Sequence, residues 1–193
     1  DIIITKLGLR RKKAVATPGV KPANTKDEEG GDEFLSPSTA TDYRALVARG
    51  NYLCQDRTDT KFSVKELSRR MAQPRRRDWR NLVRFRKYLL GRKRYIINFD
   101  YQGEYRCIDV WTDTDYAGCR ETRKSTSGGV IMLGRHTLRS WSSTQKVIAL
   151  SSGEAEYYGM VRGAAEAIGS RSILADLEVS LRIRLSEDST AAK

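Results

Sequence analysis

The chain has 193 residues, with 36 Lys and Arg against 24 Asp and Glu and a formal charge of +12 at pH 7. Its 39% hydrophobic content is enough for a globular core, and no apolar run approaches the roughly 18 residues of a membrane helix, which excludes a helical membrane span. The basic excess points to a polyanionic partner, above all nucleic acid, because basic groups that pair with phosphates release condensed counterions.

Cys54, Cys107 and Cys119 are odd in number and lack CxxC spacing. They fit neither a disulfide framework nor a zinc site, so a reducing intracellular setting, cytoplasmic or nuclear and not secreted, is expected. The opening DIIITKLGLRRKK lacks a signal-peptide layout. With no initiator Met, the chain is read as a piece of something longer.

Residues 1–41 begin with a short apolar stretch and pass into TPGVKPANTKDEEGGDEFLSPST, whose Pro, Gly and acidic content reads as a flexible linker. Ser38, Thr39 and Thr41 are candidate caps for a helix over 42–53. Residues 42–95 are helical in pattern. Phe62, Val64, Leu67 and Met71 recur at helical spacing, as do Trp79, Leu82, Val83, Leu89 and Leu90. The later helix carries Arg80, Arg84 and Lys87 on one face, with Arg76 just before it. Such a face can track a phosphate backbone.

From residue 96 the period changes. IINFDYQGEYRCIDVWTD has strand content, with a hairpin turn expected at 101–104. Strands are also expected at 128–133, 137–141 and 146–150, with a tight turn at Gly134-Arg135-His136. His136, the one histidine, reads as a turn residue rather than a ligand. Residues 151–179 return to helix, capped by Ser151 or Ser152, with Gly169-Ser170 placed to bend it. Residues 180–188 alternate Leu181, Ile183 and Leu185 as a last strand, and Asp188 or Ser189 is placed to cap a further helix.

Four acids fall at chemically suggestive places. Asp113 ends a strand, Glu154 and Glu156 lie in the first turns of a helix, and Asp188 ends another strand. In a β-β-β-α-β order these places can converge on one sheet edge. Carboxylates so gathered need a cation, and hard oxygen donors suit Mg²⁺. On spacing alone, unrelated surface acids fit as well.

The runs WTDTDYAG, TRKSTSGGVIML, SWSSTQKVIALSSGEAEYYG and DSTAAK resemble the ribonuclease H domain of copia-type retrotransposon polyproteins. The upstream TDYRALVARGNYLCQDRTDTKFSVKELSRRMAQP resembles the segment that joins reverse transcriptase to that domain. The resemblance implies an α/β fold, a ribonuclease H-like mixed sheet with flanking helices, over 96–193, preceded by a small helical connection region over 42–95. It implies Mg²⁺, with Mn²⁺ as a substitute, held by Asp113, Glu156 and Asp188, and cleavage of the RNA strand of an RNA·DNA hybrid. Arg123 and Lys124, together with Arg76, Arg80, Arg84 and Lys87, would contact backbone phosphates, and reverse transcriptase domains upstream would be partners. Glu154 and Asp115 would stand beside the metal ligands rather than among them.

This chain departs from the family at Thr58, where proline is usual between Arg57 and Asp59, and at Thr144, where a basic residue is usual. Gly153 and Gly159 are poor helix formers by about 1 kcal/mol each against Ala, and read as marks of a divergent or decaying copy. The family's fourth acid lies beyond a further strand and helix, past Lys193, so hydrolysis is expected to be impaired. The alternatives are a non-catalytic nucleic-acid-binding remnant and a decayed product with no activity.

Overall fold

Ser36, not the later hydroxyls, opens the first helix. The computed structural model describes residues 13–20, 33–119 and 121–187, and the chain divides into two units, Asp1–Ile97 and Asn98–Lys193. Among the described residues, no helix is long and apolar enough to cross a membrane.

In the first unit, helix α1 (Pro37–Leu53) has Ser36 as its N-cap, accepting from the Thr39 amide, and Pro37 in its first turn. Both choices suit a helix start: the cap satisfies an orphan N–H, and proline lacks one to satisfy. The helix therefore begins five residues before the expected position 42. Its buried stripe of Ala40, Tyr43, Leu46, Val47 and Gly50 follows helical spacing. A 3₁₀ turn (Thr58–Thr60) leads into α2 (Lys61–Ser68) and then α3 (Arg76–Gly91).

Tyr43, Leu46, Val47, Val64, Leu67, Leu82, Phe85, Tyr88 and Leu89 form this unit's core. Burying each such side chain is worth about 1.5–3 kcal/mol before entropy is counted. Phe62, expected inward, is instead exposed with Lys65 over its ring. Arg57 holds Asp59 through two hydrogen bonds of 2.9 and 2.8 Å, and Tyr88 donates to the same carboxylate at 2.6 Å. Those bonds hold the Asp59 carboxyl below its usual range against the opposing effect of burial.

Parts of the expected linker are built into the unit. Val15 and Leu35 pack on the core. The Leu35 amide donates to the Pro74 carbonyl and the Arg76 amide to the Glu33 carbonyl, both at 3.0 Å. Apolar side chains and paired backbone groups hold these stretches, which composition alone did not indicate.

The second unit is a mixed four-stranded sheet in the order β3-β2-β1-β4, formed by β1 (Cys107–Asp115), β2 (Thr126–Leu133), β3 (His136–Thr144) and β4 (Arg182–Glu187). Antiparallel pairs join β1 to β2 and β2 to β3, whereas β4 runs parallel to β1. Helix α4 (Ser152–Asp176) connects one sheet edge to the other. It runs unbroken through Gly169-Ser170, where a bend was expected.

Burial along β1 alternates: Ile108, Val110, Thr112 and Thr114 are buried, while Trp111 and Asp113 are exposed. This is the period of two that a half-covered strand requires. Helix α4 covers the buried side, where Gly159 and Gly163 come against Thr114 and Thr112. The core here is Ile108, Val110, Ile131, Trp141, Ala167 and Leu181. Gly159 is thus a close-packing residue, which corrects its reading as a mark of decay.

Two expected strands are absent from the observed sheet. Before β1, residues 92–106 form no regular element, and Ile96, Phe99 and Tyr101 are exposed. Gln102 occupies itself with the β2–β3 turn instead. Its Nε2 donates to the Leu133 carbonyl at 2.8 Å and lies 2.6 Å from His136 Nδ1, while its Oε1 accepts from the Arg135 amide and the Tyr105 hydroxyl. His136 starts β3 and meets Phe99 edge-on, so it fixes this loop rather than simply turning. After β3, residues 145–150 are a loop. Gln145 Nε2 donates to Ser127 Oγ and to the Ala155 carbonyl, and the Leu150 amide donates to Glu154. The ladder between β2 and β3 ends at the Thr126–Thr144 pair, so KVIAL has no strand partner there and feeds the helix start.

Candidate active site

The N-terminal turns of α4 bring a polar layer against the C-terminal end of β1. Ser151 caps the helix, accepting from the Glu154 amide at 3.1 Å. Glu154 turns outward, accepting from the Leu150 amide at 2.7 Å and the Tyr158 hydroxyl at 3.0 Å. Two residues further, about 200° around the helix, Glu156 turns inward and is only 8% exposed.

Glu156 meets Thr114 and Glu187 there. The β1–β4 register sets Glu187 directly beside Thr112. Glu156 Oε2, both Glu187 carboxylate oxygens and the hydroxyls of Thr112 and Thr114 are buried without a conventional hydrogen-bond partner. Two ionised carboxylates are both acceptors, so their contact holds no hydrogen to share. Burial, then the Glu187 carboxyl, pushes the Glu156 pKa up to about 7; Thr114 opposes this, and the Asp113 charge adds a smaller upward push.

Asp113 lies opposite Gly128 in the β1–β2 ladder and is exposed. Strand alternation hands it to the side away from Thr112 and Thr114. Its charge still reaches Glu156, but its side chain stands apart from the buried pair. Asp188 lies outside the described residues. Among the described residues, no three His, Cys, Asp or Glu side chains gather closely enough to hold a metal ion. Asp115, at the end of β1, packs against Gly118, where any side chain would collide with its carboxylate.

Glu187 is the functional candidate that motif reading passed over. Its signal was present: the alternation of Leu181, Ile183 and Leu185 extends to position 187 and so points it toward α4.

The basic candidates divide. Arg123 has φ of 56° in a tight loop closed by Arg123 N–H to Cys119 O (2.7 Å) and Cys119 N–H to Lys124 O (3.2 Å). That loop presents an exposed Arg123 beside a half-buried Lys124. In the first unit, Arg76 pairs with Glu33 at 2.9 Å and Arg84 donates to Thr17 at 2.8 Å. Arg80 is exposed and Lys87 half-buried. Arg86, unremarked in the sequence, is 0% exposed, and all three of its guanidinium nitrogens lack a hydrogen-bond partner.

No family model and no solved structure gives a significant match to the chain. Curated relatives do. The Pol polyprotein from transposon RE2 of Arabidopsis thaliana is 32% identical over 93% of this chain, and that from transposon RE1 of the same plant is 31% identical over 93%. The chain spans 12% of the length of each of these relatives. Secreted RxLR effector protein 161 of Plasmopara viticola is 32% identical over 70% of this chain and 89% of its own length. With kinship along nearly its whole length to transposon polyproteins, the chain belongs to the copia-type retrovirus-related Pol polyproteins.

Proposed function

We propose that the second unit is a ribonuclease H-like domain that hydrolyses the RNA strand of an RNA·DNA hybrid. The observation that carries this reading is the buried Glu156 carboxylate, whose Oε2 has no hydrogen-bond partner, at the C-terminal end of β1, close to the strand position of Asp113. The donor set fits a hard divalent ion: the orphaned atoms are carboxylate and hydroxyl oxygens, with no sulfur or imidazole among them. Asp113, Glu156 and Asp188 would hold Mg²⁺, or Mn²⁺ in its place. When bound, such an ion lowers the pKa of a coordinated water and stabilises the leaving oxygen.

The chain's own residues would do the rest. Arg123 and Lys124 sit on a turn closed by backbone hydrogen bonds, so the main chain that carries their charges to phosphates needs no further ordering. Hybrid selection would come through contacts to 2′-hydroxyls across the shallow minor groove. The neighbouring domains of the polyprotein would be its partners, and the free cysteines suit a reducing interior.

The test is Mg²⁺-dependent cleavage of a labelled RNA·DNA hybrid by the chain alone and within a longer stretch of its polyprotein. Asp113→Asn should abolish cleavage and leave hybrid binding in place. A variant that cleaves at the parent rate removes Asp113 from the mechanism. The rival is a nucleic-acid-binding remnant, favoured by the standing apart of Asp113 from the buried pair. It would bind hybrid with salt sensitivity and cleave in neither form.

A further inference from the structure

We propose that Glu187, an acid outside the family's ligand set, is a metal-ligating residue of this chain, sharing a divalent cation with Glu156 between β4 and α4. This rests on the ribonuclease H reading for the role of Glu156, but its own support is geometric. Glu187 and Glu156 meet as two acceptors in a buried layer. The groups that act most strongly on Glu156 are the Glu187 carboxyl, the Thr114 hydroxyl and the Asp113 charge.

A second, independent feature points into the same place. Thr112, beside Glu187 in the parallel ladder, is buried at 6% exposure, and its hydroxyl oxygen has no partner. Its neighbour Thr114, buried at 8% exposure, meets Glu156 in the same layer. A single shared proton would neutralise one of the two carboxylate charges and satisfy one oxygen of each partner. A divalent cation neutralises both charges and accepts several oxygens at once. The oxygen-only donor set selects Mg²⁺ or Mn²⁺ over softer ions.

Register strengthens the assignment. Glu187 is the last residue of β4 and pairs with Thr112 at the C-terminal end of β1. No extra loop or helix has to move to bring the Glu187 carboxylate in, because the β1–β4 ladder already holds it against Glu156.

The experiment uses the full 193-residue chain and Mn²⁺ as the probe, followed by its electron paramagnetic resonance signal and by metal-induced thermal shift. Glu187→Gln keeps the size and removes the charge. It should weaken Mn²⁺ binding at least tenfold, as should Glu156→Gln, and abolish the metal-induced rise in melting temperature. Without metal, Glu187→Gln should melt no lower than the parent, which shows that the variant folds. Parent-like Mn²⁺ binding by Glu187→Gln, or tighter binding, would overturn the proposal, and so would a parent that binds no Mn²⁺ at millimolar concentration. Glu187-dependent Mn²⁺ binding by a protein that never cleaves hybrid would uphold this inference while sinking the ribonuclease reading. Cleavage that survives Glu187→Gln with unchanged Mn²⁺ affinity would do the reverse.

Discussion

Gly163 of α4 sits so close to Thr112 of β1 that a methyl in its place would come within 2.5 Å of the threonine Cγ2. One turn earlier, a methyl at Gly159 would come within 2.6 Å of the Thr114 hydroxyl. Helix propensity and packing therefore disagree at both positions. Propensity favours alanine by about 1 kcal/mol, while overpacking against a strand costs about 1–3 kcal/mol. Packing should win, because the threonines belong to a hydrogen-bonded ladder that cannot retreat. Gly163→Ala should lower the urea midpoint, and a raised midpoint would show that α4 stands further from the sheet.

Glu178 closes α4 in the left-handed region, with φ of 61°. The Val179 amide reaches back to the Leu174 carbonyl and the Glu178 amide to the Ala175 carbonyl, both at 2.9 Å. This is the pairing of a Schellman stop, whose left-handed position is usually glycine. A side chain there costs about 1 kcal/mol. Glu178→Gly should raise thermal stability by about that amount, and a destabilised variant would refute this account of the helix end.

Arg86 is a buried cation without a hydrogen-bonding partner, and burial draws its pKa down. Replacing an uncompensated buried charge by an apolar chain of similar length removes a desolvation cost. Arg86→Met should be more stable than the parent by about 1–3 kcal/mol in denaturant titration. A marked loss would mean that the guanidinium has a counter-charge in solution.

Glu156 predicts a pH dependence with a definite sign. Its folded pKa of about 7 exceeds the usual 4.5, so the folded state holds more protons than the unfolded one between these values. Stability should then fall as pH rises through roughly 4.5 to 7 and level off above, apart from the contributions of other groups. Glu156→Gln should remove this slope from urea titrations taken between about pH 5 and 8. A slope that persists unchanged would place the titration elsewhere.

The basic face of α3 predicts a salt effect. Changing Arg80, Arg84 and Lys87 together to Ala should weaken binding to an RNA·DNA hybrid. The slope of log affinity against log salt should flatten by about 0.7–0.9 for each phosphate that is no longer neutralised. Arg76 should matter less, since Glu33 already engages it at 2.9 Å. An identical slope in the triple variant would mark this face as merely solvated.

Local pattern carried the helices and most of the sheet. The recurrence of Leu82 and Leu89, the turn at Gly134 and the alternation of Ile183 and Leu185 are short-range features, and each formed the element that its period implies. The cap at Ser151 was likewise legible, because capping needs only the next few residues. KVIAL and IINFDY have strand composition but no strand, since a strand requires a neighbour to pair with and composition does not name one. The chain's kinship was readable from its motifs alone. The meeting of Glu187 with Glu156 was not, because it joins residues far apart in the chain through a parallel ladder and a helix packed on it. Long-range register decides which carboxylates meet, and the depth at which they meet sets the charge they can keep.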